Sequence, residues 1–345
     1  MRLVPILTLC LPMMPKKTLI FKIFLSLCDD NLGRQMKYFN KNWMMILMGV
    51  LSAGQAWGCE KPQTEVEYHF VDCLSEEGLT QVWLFDEQGS NAKHGFVNKA
   101  GKLVMPLQYD RAWGFKDGLA GVQKDEKWGF IDITGKVIIP LQYDYLYNFN
   151  EQLAGIQQDD KWGFIDKSGK TIIPFMYDWA LDFTEGLAGV RRNDGKWGFI
   201  DKSNRVVIPF IYDEVDVFVD GLAKVEQDDK WGFIDKSGKV VIEIKYDYLN
   251  NFSEDLAGME IDGKWGFIDK SGNIVIPANY DSLYVGFNDG LAGVEIDGKW
   301  GMIDKTGKIV IPIQYDQPFS FYNDVAEVEL NGETFSIDKQ GNRLP

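Results

Sequence analysis

The chain has two histidines, His69 and His94. Histidine supplies most acid, base and metal-ligand chemistry near neutral pH, so such chemistry has few places to reside. No paired Cys or His has zinc spacing, no Gly-rich loop opens a helix to hold phosphate, and no Gly-x-Ser-x-Gly elbow occurs. Aspartate recurs at Asp132, Asp166, Asp201, Asp235, Asp269 and Asp304, and in turns such as Asp159-Asp160, Asp228-Asp229, Asp262 and Asp297. Calcium needs about six to eight oxygens converging on one point, and no alternating Asp-x-Asp-x-Asp loop offers them. Aspartate accepting hydrogen bonds from the turn it precedes explains the pattern better. The Tyr-Asp pair runs from Tyr109-Asp110 to Tyr315-Asp316 in seven copies. An active site is normally built once, so a structural Tyr and Asp are the expectation. The chain is therefore read as having no catalytic residue, no cofactor and no metal site, and as not being an enzyme.

These residues belong to a repeat, and the repeat sets their positions. Trp stands at 128, 162, 197, 231, 265 and 300, with His94 in that slot one unit earlier and Thr334 one unit later, at steps of 34 or 35. From Trp to the Tyr of Tyr-Asp the spacing is always 15, so the two extra residues must fall elsewhere: in the turn around Arg191 to Gly195, and just before Phe287. Both places are expected to be loops. Each unit carries three short apolar runs, Leu-Ala-Gly-Val, Trp-Gly-Phe-Ile-Asp and Val-Ile-Ile-Pro, separated by Asp-Gly, Asp-Asp or Ser-Gly turns. Such runs predict β-hairpins and a three-stranded meander per unit. The turn slot holds Gly at 101, 135, 169, 238, 272, 307 and 341 and Asn at 204, the two residues that enter positive φ most cheaply. Pro at 106, 140, 174, 209, 277 and 312 is expected to end the third run or to sit on an edge; Glu243 replaces it once. A 34-residue unit is too short to fold alone, so neighbouring units must bury each other. Trp128, Trp162, Trp197, Trp231, Trp265 and Trp300 are the expected core column, with His94 packing at its end.

The string Lys161-Trp162-Gly163-Phe164-Ile165-Asp166-Lys167-Ser168-Gly169-Lys170, with Pro174 and Tyr177-Asp178 downstream, resembles the bacterial WG repeat family. The likeness covers about 270 residues. It implies an all-β repeat protein, often exported or surface-associated, acting as a binding or scaffold region, and it brings no catalytic residues. The atypical first and last units fit terminal caps.

Residues 1–56 differ from the rest. Met36 to Lys41 is a short basic start, Trp43 to Ala53 is apolar and of signal-peptide length, and Gly54-Gln55-Ala56 supplies small residues for cleavage. The domain reading is a lead or over-long gene start at 1–35, a signal peptide at 36–56, an N-terminal cap at 57–75 and the repeat array at 76–345. The apolar run is shorter than the about 20 residues a membrane span needs, so the mature chain is expected to have none. Export to the periplasm or beyond follows. A lipoprotein at Cys59 is disfavoured by Trp57 in the preceding segment. Cleavage after Ala56 would leave Cys59 and Cys73 as an even pair, read as a disulfide. Val66 to Phe70 alternates and is expected to be an extra strand.

Removing residues 1–56 takes away seven of 36 basic and two of 51 acidic groups, leaving 29 against 49, net −20. Such a surface repels nucleic acid and anionic lipid.

The fold expectation is all-β: about eight stacked units in an open, solenoid-like array. In the alternative, a closed β-propeller, the Val66 to Phe70 strand would complete the last unit. Function laid over a repeat shows as deviation from it, so Trp113, Trp179, Arg191, Arg192, Tyr248 and Tyr284 are the candidate partner-binding residues. The leading reading is an exported, non-enzymatic binding or scaffold protein that offers an acidic β surface to a protein partner. A glycan or cell-wall binder using rows of Trp and Tyr is the competing one.

Overall fold

The computed structural model of the chain describes residues 61–64, 66–85 and 92–345. The expected lead at 1–35, the expected signal peptide at 36–56 and Cys59 lie outside the described residues. Everything regular within them is β-strand. Seven four-stranded antiparallel sheets are followed by a two-stranded one. The unit around Trp162 represents them: a two-residue strand Tyr145–Leu146, then Leu153–Gln158, Lys161–Asp166 and Thr171–Tyr177, hydrogen-bonded in that order. The three expected strands are present. A fourth is added, because the two residues after Tyr-Asp pair with the Leu-Ala-Gly-Val strand, as Leu146 does with Ile156. Two residues are too few to show alternation, so this strand leaves no pattern in the sequence.

The turn slot takes the conformation its residue types predict: Gly169 has φ 83° and Asn204 φ 60°. The Pro residues do not end the third strand. Pro174 lies inside Thr171–Tyr177, at the outer edge of its sheet, where a missing N–H disrupts no inner ladder. There the strand bulges: Trp162 is opposite Tyr177 and Phe164 opposite Ile173, so three residues face Gly163 alone. Of the two insertions, one forms the turn between strands Leu187–Arg191 and Trp197–Asp201, as expected. The other is a correction. Val285 and Gly286 lie within strand Ser282–Asn288 as a bulge, with Val285 at φ 54°, a conformation a β-branched residue rarely takes.

The core is built between sheets as much as within them. The cluster holding Trp128, Phe130 and Ile139 from one unit also holds Leu146, Phe149 and Ile156 from the next. Its most regular element pairs the Phe of each Trp-Gly-Phe, and of His94-Gly95-Phe96, with a Phe 19 or 20 residues on, in the neighbouring unit. Phe96–Phe115, Phe130–Phe149, Phe164–Phe183, Phe199–Phe218, Phe233–Phe252 and Phe267–Phe287 all have ring centroids 4.7–5.0 Å apart. Such pairs contribute about 0.5–1.5 kcal/mol each beyond the area they bury.

At the start of the array Phe70–Val71 pairs with Leu79–Phe85, with Phe70 opposite Trp83. The extra strand expected at Val66 to Phe70 is thus reduced to Phe70–Val71, and it completes the first sheet and not the last. No pairing among the described residues joins the two ends, and the array is open.

Candidate functional site

The repeated charged residues stitch sheets together. Asp144, of a Tyr-Asp pair, accepts a hydrogen bond from Lys127 Nζ in the preceding sheet and, on its other oxygen, from the Asp159 backbone N–H in the following one, at 2.8 Å. The Lys127 hydrogen bond comes first among the causes that hold the Asp144 carboxyl below its usual range. The same joint recurs at Asp110, Asp213, Asp247 and Asp281. A second stitch uses acids in the bend before each Leu-Ala-Gly-Val strand. Glu151 accepts the Gly186 N–H at 3.1 Å and pairs with Lys202 at 3.0 Å, both from the next sheet. The aspartates after Trp-Gly-Phe-Ile cap their own turns: Asp166 Oδ1 accepts from Ser168 Oγ, Ser168 N–H and Lys170 N–H. These contacts are what the Asp columns do in this fold.

The Trp column lies beside them. Trp128, Trp162, Trp197 and Trp231 are buried; Trp265 and Trp300 are half-buried. Where a Tyr follows Tyr-Asp, its ring wedges between successive tryptophans: Tyr145 is 6.0 Å from both Trp128 and Trp162, and Tyr248 is 5.8 Å from Trp231 and 5.9 Å from Trp265. In the first unit, where His94 stands in the Trp slot, a Trp comes from the preceding strand. Trp83 is the direct cross-strand partner of His94. His94 itself is buried, 2.7 Å from the Gln81 amide, and burial pushes its pKa down to about 4, so it is neutral at pH 7.

The single-copy candidates surface around this column. Trp113 stacks on Trp128 at 5.5 Å and keeps 37% of its surface exposed. Tyr284 meets Trp300 edge-on at 6.2 Å. Trp179 is half-buried and 5.8 Å from Trp162. Arg191, its cross-strand partner, lies between two rings, its guanidinium 5.8 Å from Trp179 and 5.7 Å from Trp197. Arg192 covers Phe210 at 5.0 Å and pairs with Asp194 at 3.3 Å. The fold thus brings Trp179, Arg191 and Arg192 together in one sheet. Trp113, Tyr248 and Tyr284 belong to three others.

Two residues of this surface escaped the sequence reading. Lys224 takes the place of Gly121, Gly155, Gly189, Gly258 and Gly293, and its stem crosses inward: Nζ is 4.8 Å from the Trp231 ring, 5.2 Å from Tyr248 and 3.2 Å from the Leu249 carbonyl oxygen. Burial lowers its pKa, opposed by Asp216, Glu214 and Glu226. Asp182 lies in the loop after Leu181; burial raises its carboxyl to about 6, and its buried Oδ1 has no hydrogen-bond partner. Both are single-copy departures, so the deviation rule that flagged Arg191 would have flagged them.

The repeat pattern described as the WG containing repeat matches seven consecutive segments, 95–128, 128–162, 162–197, 197–231, 231–265, 265–300 and 300–333. The chain belongs to the WG containing repeat family. No curated protein matches it. Among solved structures, a eukaryotic initiation factor is similar at 12% identity over 82% of this chain and 89% of that one, with a TM-score of 0.52. BamB from Moraxella catarrhalis is 13% identical over 80% and 95%, with a TM-score of 0.38. The computationally designed Ika8 protein is 12% identical over 81% and 100%, with a TM-score of 0.41. At these identities the first likeness speaks for the fold alone, and the other two carry no argument. Among the described residues no helix is long and apolar enough to cross a membrane.

Proposed function

We propose that this WG repeat protein is an exported, non-enzymatic binding or scaffold protein that engages a protein partner through the single-copy side chains along its Trp column. One observation carries the reading. The repeated Asp, Lys, Trp and Phe are committed to turns, stitches and core, whereas Trp113, Arg191, Arg192 and Tyr284 depart from the repeat and keep exposed surface. Residues that vary over a constant frame are where specificity can reside without disturbing stability. Aromatic and Arg side chains are also the types enriched in partner contacts.

Export rests on the 36–56 segment, with a periplasmic or secreted destination. The Cys59–Cys73 bridge belongs to the same proposal, since an oxidising compartment would keep it. The nature of the partner follows from the −20 charge of residues 57–345, which disfavours nucleic acid and anionic lipid.

The glycan reading keeps weaker support. A sugar must reach a ring face, and Trp128 and Trp162 are 1% and 2% exposed, with Trp113 and Tyr147 stacked on them.

The test is cross-linking of the full chain in its native envelope, followed by identification of both proteins and saccharides. A reproducible protein partner supports the proposal. Enrichment of saccharide without protein would replace it with the glycan reading.

A further inference from the structure

We infer that Arg191, clamped between Trp179 and Trp197, is the point where this array receives a single carboxylate from an extended segment of its protein partner. The inference rests on the protein-binding reading above and names the chemistry of that contact.

Arg191 occupies a slot that recurs along the array. In each sheet one residue pairs across the strand with the Trp: Gln123 with Trp128, Gln157 with Trp162, Arg191 with Trp197, Glu226 with Trp231, Glu260 with Trp265 and Glu295 with Trp300. Glutamine fills it twice, so covering the Trp needs no charge. Arginine enters it once, at a shared distance from two rings. Stacking holds the planar guanidinium without using its five N–H donors. Among the described residues Arg191 makes no ion pair, although acidic groups outnumber basic ones in this chain by 51 to 36. The nearby cations differ: Lys196 pairs with Asp213, and Arg192 with Asp194. Arg191 is therefore a rigidly placed, half-exposed fork of donors lacking an acceptor, the arrangement that suits bidentate binding of a planar carboxylate.

The same geometry discriminates between partner classes. A sugar ring would need a face of Trp179 or Trp197, and the guanidinium lies over both. What remains open is the N–H edge, which selects a carboxylate. The slots that follow carry Glu226, Glu260 and Glu295, each carboxyl raised first by burial and then by acidic neighbours. A second acid on the partner would be repelled there. The slot column thus accepts negative charge at Arg191 and rejects it farther along, which fixes the register of an extended segment.

The experiment measures binding of the full chain to an array of short acidic peptides that each carry one Asp or Glu, each beside its Asn or Gln counterpart, and to oligogalacturonate, at physiological ionic strength. The expected result is a preference of at least about tenfold for acidic peptides over their amide counterparts. Arg191→Gln, which installs the residue of the two preceding slots, should erase the preference with little change in melting temperature. Arg191→Lys, keeping the charge but losing the fork, should retain only part of it. Equal binding of acidic peptides by wild type and Arg191→Gln overturns the inference, as does the absence of any acidic preference. Arg191-dependent binding of oligogalacturonate without peptide binding overturns it too and reassigns the site to an acidic glycan. Envelope cross-linking with Arg191→Gln separates the two levels. A partner still captured at wild-type yield leaves the protein-binding reading standing and removes Arg191 from it; no protein captured even by wild type removes the broader reading.

Discussion

Gly232 lies directly beneath the carbonyl oxygen of Ile242: a Cβ on Gly232 would stand 2.7 Å from that atom. The relationship holds for every Trp-Gly or its equivalent, with Gly95, Gly129, Gly163, Gly198, Gly266 and Gly301 at 2.4–2.7 Å from the corresponding backbone oxygen. The bulge around each Pro position drives the edge strand over the glycine. The Gly following each Trp is thus a steric requirement, and Glu243 shows that it persists without the Pro.

Gly266→Ala, at the shortest of these approaches, should cost about 1–3 kcal/mol, because the obstructing atom is backbone and cannot rotate away. Gly114→Ala is the control: nothing lies within 4 Å of its Cβ position and its φ is not positive, so its melting temperature should be nearly that of wild type.

Trp231→Ala should destabilise by about 3–5 kcal/mol, since the ring is buried among Phe233, Ile242 and Tyr246. A loss below about 1 kcal/mol by chemical denaturation would contradict its core role.

The Phe164–Phe183 pair joins neighbouring sheets at 4.8 Å. A double-mutant cycle with leucine at both positions should give a coupling of about 0.5–1.5 kcal/mol. A cycle pairing Phe164 with Phe252, which contacts Phe233 instead, should give almost none.

His94 and Asp182 predict opposite pH dependences. The His94 pKa is depressed to about 4, so between about 4 and its unfolded value near 6.5 the unfolded chain binds more protons. Its contribution is complete above that window and is lost as pH falls through it. Asp182 is raised to about 6, so the folded state binds more protons between about 4 and 6, and stability falls as pH rises through that range. Asp182→Asn should therefore raise the melting temperature at pH 7 and leave it little changed at pH 4. An equal shift at both values would show that the carboxyl's titration is not the cause.

The stitching pairs are at least partly exposed, and Lys161→Ala, which leaves Asp178 without its lysine, should cost about 1 kcal/mol or less, and less still in high salt. Asp166→Ala removes the acceptor of three hydrogen bonds in a turn and should cost more, independently of salt.

Much of the frame is legible in the residues alone because the repeat states each local rule many times. Positive φ at the Gly169 slot, buried tryptophans at 128, 162, 197 and 231, and turn-capping by Asp166 follow from residue type and position. Val285 shows the limit: an extra residue can be counted from spacing, but whether it makes a loop or a bulge depends on whether the ladder closes on both sides of it. Pro174 shows it again, since only the strand order reveals that its edge is free to continue.

The sequence by itself determined the period, the three main strands, the turns and the identity of the residues that depart from the pattern, because these depend on local preference and on spacing along one chain. Tertiary structure decided what those residues touch. Residues 34 apart are alike, but Phe164 meets Phe183, 19 residues on, because the sheets stack with an offset that brings a strand of one against a loop of the next. Arg191 is a single-copy residue in the sequence. It becomes a clamped donor only because the strand pairing places Trp179 on one side of it and Trp197 on the other.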